Sequence, residues 1–310
     1  MRSKIGPSQP VEPEPDTRGV APGNEQMAEA WAGAMFERFS AYRPIVAASG
    51  RGFSEAAFAA HPPAAGDRVL DVGCGWGETS RRLAELVGAS GAVLGVDLSR
   101  RFVESARRES AEAGVENVRF QVMDAQHGDP GGPFDYAFSR FGIMFFADPV
   151  SALANLRRAL RPGGRLVAVV WRRKPDNQWV HRAQLAVEAQ LGPPAPSGTP
   201  TIDGAPAPGP YSMADADLFS DQLTAAGFER IAFERCDMPI RLGADLDAAV
   251  EFSMAMGPGG ELIREAGERG ERLRPAIAAE IRAALADLER PDGVWAPAST
   301  WLLSARAPRA

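Results

Sequence analysis

The chain has 310 residues, 45% of them hydrophobic, with 34 basic against 40 acidic side chains and a formal net charge of −6. That is enough apolar content for the core of one large α/β domain, with or without a cap. The acidic balance argues against the broad basic footprint of a nucleic-acid binder. Two widely spaced cysteines, Cys74 and Cys236, argue against a disulfide framework and for a reducing, cytoplasmic setting. Neither belongs to a cluster with metal-ligand spacing, so no metal is expected.

Residues 1–24 carry Pro7, Pro10, Pro13, Pro15 and Pro22 among polar residues and have no apolar h-region. A disordered tail is expected there, neither a signal peptide nor a membrane span. Over 25–64 a helical segment is expected. Met27, Trp31, Met35 and Phe39 recur at i, i+4 along 25–40. That stripe could pack on the main domain or lie over a ligand as a lid, and one helix can do both.

The segment 65–174 alternates as a doubly wound parallel sheet requires. Its pattern predicts helix 77–88, strand 92–96, helix 99–113, strands 118–123 and 134–139, helix 149–160 and strand 165–171. The first strand, Val69 to Val72, stops at Gly73, Gly75 and Gly77, and a helical pattern begins at once. Such a turn brings bare backbone and a helix N-terminus close to a nucleotide-like ligand. The spacing is Gly-x-Gly-x-Gly and no Lys-Ser or Lys-Thr follows, which disfavours both a P-loop and the Gly-x-Gly-x-x-Gly dinucleotide loop. Asp97, twenty residues after Gly77, ends the second strand, where a carboxylate can take both ribose hydroxyls. Asp124-Ala125 ends the third, placed to read an adenine edge. Arg161-Pro162-Gly163-Gly164 reads as a helix stop and turn.

Beyond Trp171 the pattern changes. A cap helix over 176–191 leads into the Pro/Gly-rich stretch 192–212; the two make up the segment 175–213. The fold resumes over 214–310 with helix 214–226, strand 228–236, a helical insertion 245–290 broken at 257–260 and Pro275, and a last strand near 299–306.

The segments VLDVGCGWG, VDLS (96–99), MDA (123–125), FDYAFSRFGIMFF (134–146) and LRPGGRLVAVVW (160–171) stand in the order found in class I S-adenosylmethionine-dependent methyltransferases. The chain resembles that family, and within it the branch around the ubiquinone/menaquinone C-methyltransferases. The resemblance implies a Rossmann-like, seven-stranded, mostly parallel sheet with an antiparallel last strand, plus an N-terminal helix and a helical cap. It implies S-adenosylmethionine as cofactor, held by Asp71, Gly73, Gly75, Gly77, Asp97, Leu98, Asp124 and Ala125. In that scheme Asp71 holds the methionine moiety, directly or through water, and Leu98 packs on adenine.

On the acceptor side the residues are less specific. Ser139, His127 and His181 are the candidates for a polar or basic group at the reacting centre. Trp31, Arg140, Phe141, Trp171 and Trp179 are candidates to wall an apolar acceptor. The motif Asn-Pro-Pro-Tyr of nucleic-acid and protein methyltransferases is missing. A small, apolar or aromatic acceptor is therefore expected, with no nucleic-acid or membrane partner and a homodimer allowed for. Alternatives are a protein or RNA methyltransferase, a nicotinamide oxidoreductase, or a cofactor-binding protein without turnover. Arg172-Arg173-Lys174 reads as a clamp for an acceptor's carboxylate or phosphate or as a solvated charge run.

Overall fold

Strand β1 (Arg68–Val72) has no polar face to offer water. Val69 packs on one side of it, Leu70 and Val72 on the other. Period-two side chains that are apolar both ways must be covered twice, the condition for a parallel sheet with helices on both faces. The computed structural model, which describes residues 20, 22–194 and 206–309, meets that condition. Most of the expected tail and residues 195–205 of the Pro/Gly-rich stretch lie outside the described residues.

The remaining strands are β2 (Ala92–Asp97), β3 (Val118–Val122), β4 (Phe134–Arg140), β5 (Leu160–Trp171), β6 (Glu229–Gly243), the two-residue β7 (Glu289–Arg290) and β8 (Gly293–Arg306). Their order is β3-β2-β1-β4-β5-β8-β6, with β7 paired to β8. Strands β1 to β5 pair in parallel, and β8 runs antiparallel between β5 and β6. This is the expected sheet, with β7 as a short eighth member.

The helices are α1 (Glu25–Ala32), α2 (Ala34–Ala41), α3 (Arg43–Ala60), α4 (Glu78–Val87), α5 (Arg100–Glu112), α6 (Pro149–Ala159), α7 (Gln178–Leu191), α8 (Ala216–Ala225), α9 (Leu246–Ala255), α10 (Gly257–Glu265) and α11 (Gly267–Leu285). Phe53 of α3, Leu83 of α4, Val103 of α5 and Phe252 of α9 fill one side of the sheet. Leu153 and Leu156 of α6 and Phe219 and Leu223 of α8 fill the other.

Four expectations change. The single helix over 25–40 is split at Gly33, whose φ and ψ are both −112°. The Arg161–Gly164 turn lies inside β5, because the pairing with β4 slips from Phe134↔Leu160 to Tyr136↔Arg165 and takes up the extra residues as a bulge. Pro275 does not break its helix: it is exposed on α11, where water can satisfy the carbonyl it frees, while buried Ile277 and Ile281 anchor the next turns. Strands β6 and β8 run further than expected, to Gly243 and from Gly293, since each supplies the other's ladder partners through Gly243↔Val294.

Candidate active site

The turn after β1 holds Gly73, Gly75 and Gly77 at φ of 72°, 53° and 75°, a left-handed run that side chains resist. Their reasons differ. A Cβ on Gly73 would stand 2.8 Å from the Gly142 Cα, so this glycine lets two strand-end loops touch. A Cβ on Gly77 would meet the Phe120 ring at 2.8 Å, so it seats α4 against the sheet and does not line the site. At Gly75 a Cβ would meet nothing within 4 Å; it would project into open space beside the cavity that this residue lines.

That cavity, of about 200 Å³, lies beyond the carboxyl ends of the strands, where ligands of such sheets bind. Of the residues assigned to the cofactor, Gly73, Gly75, Asp97, Leu98, Asp124 and Ala125 line it. Asp97 Oδ2 accepts from the Gly75 N–H and Oδ1 from the Ser99 N–H, both at 2.9 Å. Burial outweighs these two bonds, and with the nearby Asp71 carboxylate it holds the Asp97 carboxyl up at about 6. Asp124 Oδ1 accepts from the Gln126 N–H, and Oδ2 from the Asn24 side-chain amide, both at 2.9 Å.

Asp71 stands behind the turn. Its Oδ2 accepts from the hydroxyls of Thr79 (2.7 Å) and Ser80 (2.5 Å), tying β1 to the first turn of α4. Its Oδ1 is buried without a hydrogen-bond partner among the described residues, and burial raises its carboxyl above the usual range. Open space at Gly75, an under-satisfied carboxylate behind the turn, and a carboxylate at each of two neighbouring strand ends fit a ligand with ammonium, ribose and purine parts. S-adenosylmethionine is such a ligand.

The acceptor candidates divide. Trp31, Arg140 and Phe141 line the cavity; Trp171 and Trp179 do not. Phe141 is a bulky residue at φ 61°, a conformation that costs about 1–3 kcal/mol. It is held there by its N–H bond to Val169 (2.9 Å) and by stacking on Trp171, rings 4.1 Å apart and 8° from parallel. Trp179 packs behind Trp171 at 5.6 Å, because α7 lies against α10 and α11 rather than across the strand ends. Trp31 meets Phe145 edge-on at 5.3 Å. The guanidinium of Arg140 donates to Ser54 Oγ (3.2 Å) and stands 3.8 Å from Glu78, which also lines the cavity; burial holds its pKa below the usual arginine range.

None of the three expected polar catalysts reaches the cavity. Ser139 is fully buried and donates to the Val72 carbonyl at 2.8 Å, which joins β4 to β1. His127 is exposed on the loop after β3, and His181 lies half-buried on α7. Arg172 is neither clamp nor solvated: it is buried among Asp176, Asp237 and Ser299, with its guanidinium over Trp301. Among the described residues, no three His, Cys, Asp or Glu are grouped to hold a metal.

Sequence reading missed Asn24, Glu78 and Trp76. Glu78 was legible in principle as the first helical residue after the glycine turn. Trp76 lines the cavity under Arg43 (4.8 Å) and against Phe102 (4.9 Å). Arg43 is fixed by a two-pronged bond to Glu109 at 2.7 Å, so the start of α3 roofs the turn.

A doubly wound sheet with this turn and two strand-end aspartates on one cavity defines a nucleoside-binding α/β enzyme core. The family profile described as "Methyltransferase domain" matches residues 69–164. Aklanonic acid methyltransferase DauC of Streptomyces sp. (strain C5) is 41% identical over 105 residues, 34% of this chain and 48% of that protein. The ubiquinone/menaquinone biosynthesis C-methyltransferase UbiE of Stutzerimonas stutzeri (strain A1501) is 31% identical over 176 residues, 54% of this chain and 67% of that protein. The chain thus spans about half to two thirds of these relatives. The YcgJ protein from Bacillus subtilis has the same fold, with a TM-score of 0.53 at 19% identity over 83% of this chain and 98% of that one. The chain belongs to the class I S-adenosylmethionine-dependent methyltransferases.

Proposed function

We propose that this protein transfers a methyl group from S-adenosylmethionine to a small, largely apolar acceptor by in-line displacement. The observation that carries this reading is one cavity in which the cofactor groups (Gly75, Asp97, Asp124) and an aromatic wall (Trp31, Phe141, Phe145) are continuous. When bound, the cofactor supplies a methyl group already activated on a sulfonium. The chain's own residues then have to align the partners and keep water out. Asp97 would accept from the ribose hydroxyls, Asp124 from the adenine amino group, and Leu98 would pack on the ring. Arg140 and Glu78, opposite charges beside Gly73, suit the carboxylate and ammonium of the methionine end. Trp31, Phe141 and Phe145 would enclose the acceptor, with Trp171 fixing Phe141 from behind.

Among the described residues no histidine or serine lines the cavity, and this favours an acceptor whose attacking atom is already anionic or strongly nucleophilic. An acidic enol, phenol or carboxylic acid fits, and the relatives are named for an acid and for quinones. The apolar wall and acidic chain favour such an acceptor over nucleic acid. Cys74 and Cys236, both free, suit the cytoplasm. No helix among the described residues is long and apolar enough to cross a membrane. A second copy is not required by this site, and a homodimer would be compatible with it.

The test is calorimetry followed by methyl transfer. S-adenosylmethionine and S-adenosylhomocysteine should bind, NAD and NADP should not. Label from the methyl group should then enter a panel of phenols, quinols and aromatic acids. Label entering only protein or RNA would sink the small-acceptor reading. Binding without transfer to any acceptor would favour a non-catalytic role.

A further inference from the structure

The residue just before α1, Asn24, is 3% exposed and lines the cavity. Its amide nitrogen donates to Asp124 Oδ2 (2.9 Å), and its amide oxygen accepts from the Ala147 N–H (3.0 Å). One side chain thus links the N-terminal segment to two strand-end loops, one after β3 and one before α6. Gln126 braces the same group from the other side: its N–H donates to Asp124 Oδ1, and its side-chain oxygen accepts from the Asp148 N–H at 3.0 Å. A carboxylate with a donor on each oxygen has a fixed plane. Each oxygen can accept more than one donor, so Asn24 and a ligand can share this carboxylate.

The rest of this segment is thinly anchored. Helix α1 fully buries only Ala28, and α2 fully buries nothing. Its other holds on the body are aromatic, through Trp31 against Phe145 and Phe102 and Phe36 against Phe102, and two surface ion pairs, Arg38 with Glu261 and Glu37 with Arg101. Segments with little buried apolar surface open at low cost, and a buried amide bonded to a carboxylate is among the larger single terms available to close them.

We propose that Asn24 is a positioning residue that couples closure of α1 and α2 to occupation of the adenine end of the cavity. The inference rests on the reading of Asp124 as the group that accepts from adenine. A ligand that fixes Asp124 strengthens the partner of Asn24. A closed Asn24 in turn presents the carboxylate in its binding orientation, so the two events reinforce each other reciprocally. Because Met27 and Trp31 line the same cavity, this coupling builds the acceptor's wall only once the nucleoside is in place.

The test uses the full chain and S-adenosylhomocysteine as probe. Asn24→Ala should weaken its binding about five- to tenfold, the lower part of the range for coupling between sites. Asp124→Ala should weaken it at least as much, and the double variant no more than Asp124→Ala alone. Limited proteolysis within residues 22–42 should slow when the probe is added to wild type, and should not slow in Asn24→Ala. Unaltered affinity in Asn24→Ala, or losses that simply multiply in the double variant, would overturn the coupling. So would equal cleavage of wild type with and without the probe, a measurement that needs no variant to fold. Unaltered affinity in Asp124→Ala would instead overturn the adenine assignment on which the inference stands.

Discussion

Asp97 carries the sharpest residue-scale consequences. Its carboxyl lies near 6, raised by burial despite two backbone donors, so it is half protonated just below neutrality. A protonated carboxyl cannot accept from both ribose hydroxyls. Affinity for S-adenosylhomocysteine should therefore fall as pH drops from 7.5 through 6 to 5, and Asp97→Asn should flatten that dependence on calorimetry. Asp97→Ala should cost about 1.5–3 kcal/mol of binding at pH 7.5. The sign for stability is opposite. A carboxyl raised in the fold takes up a proton more readily than in the unfolded chain, so its contribution falls as pH rises between the two values. Wild type should then lose melting temperature from pH 4 to 7 relative to Asp97→Asn, whose own melting temperature is lowered at every pH by the backbone N–H that its amide nitrogen cannot accept from. The glycines separate in the same way. Gly77→Ala drives a Cβ into Phe120 and should lower the melting temperature, whereas Gly75→Ala should lower affinity more than stability. Equal effects of the two on both readouts would contradict the division of roles.

At the scale of elements, the two caps flanking the sheet in sequence turn out unlike. Helix α1 and the start of α3 face the cavity through Trp31, Val46 and Gly50; α7 does not. A chain beginning at Arg43 should keep the sheet, bind cofactor weakly and lose turnover by orders of magnitude. Full turnover by that chain would show the N-terminal helices to be ornament. Trp179→Ala, by contrast, should act mainly on stability. Trp171→Ala should lower kcat/KM for the acceptor with little change in cofactor affinity, since it removes the stacking partner that keeps Phe141 in its strained conformation. The boundary of the N-terminal unit also moves. Proline content placed residues 1–24 outside the fold, yet Asn24 is buried and doubly bonded, so a deletion through Asn24 is not silent.

Across the whole molecule, the sheet brings strand ends that lie far apart in sequence to one rim, and every group with a plausible role in cofactor binding comes from that rim or from the helices over it. Besides the Cys74 thiol, which burial pushes up, the ionisable side chains lining the cavity among the described residues are Glu78, Asp97, Asp124 and Arg140. With no cluster of metal-ligating side chains among the described residues, EDTA should leave methyl transfer unchanged. Inhibition reversed by one divalent cation would reveal a composite site.

What the sequence determined by itself was whatever is coded locally. Apolar strands without a polar face demand helices on both sides, glycines at left-handed positions demand a turn, and an aspartate at a strand's end lies on the ligand rim wherever the strand is parallel. Hence the fold, the cofactor and the place of Asp97 on the cavity rim were legible in the residues. The acceptor side was not, because facing is a tertiary property. Ser139 and Arg140 are neighbours on one strand, but alternation sends the first hydroxyl to the Val72 carbonyl and the second side chain to the cavity. Trp171 and Phe141 look equally aromatic in sequence, and only stacking puts one in front of the other. Asn24 reaches Asp124 across 100 residues, a contact that no periodicity encodes, because it exists only once the N-terminal helices have folded back over the rim.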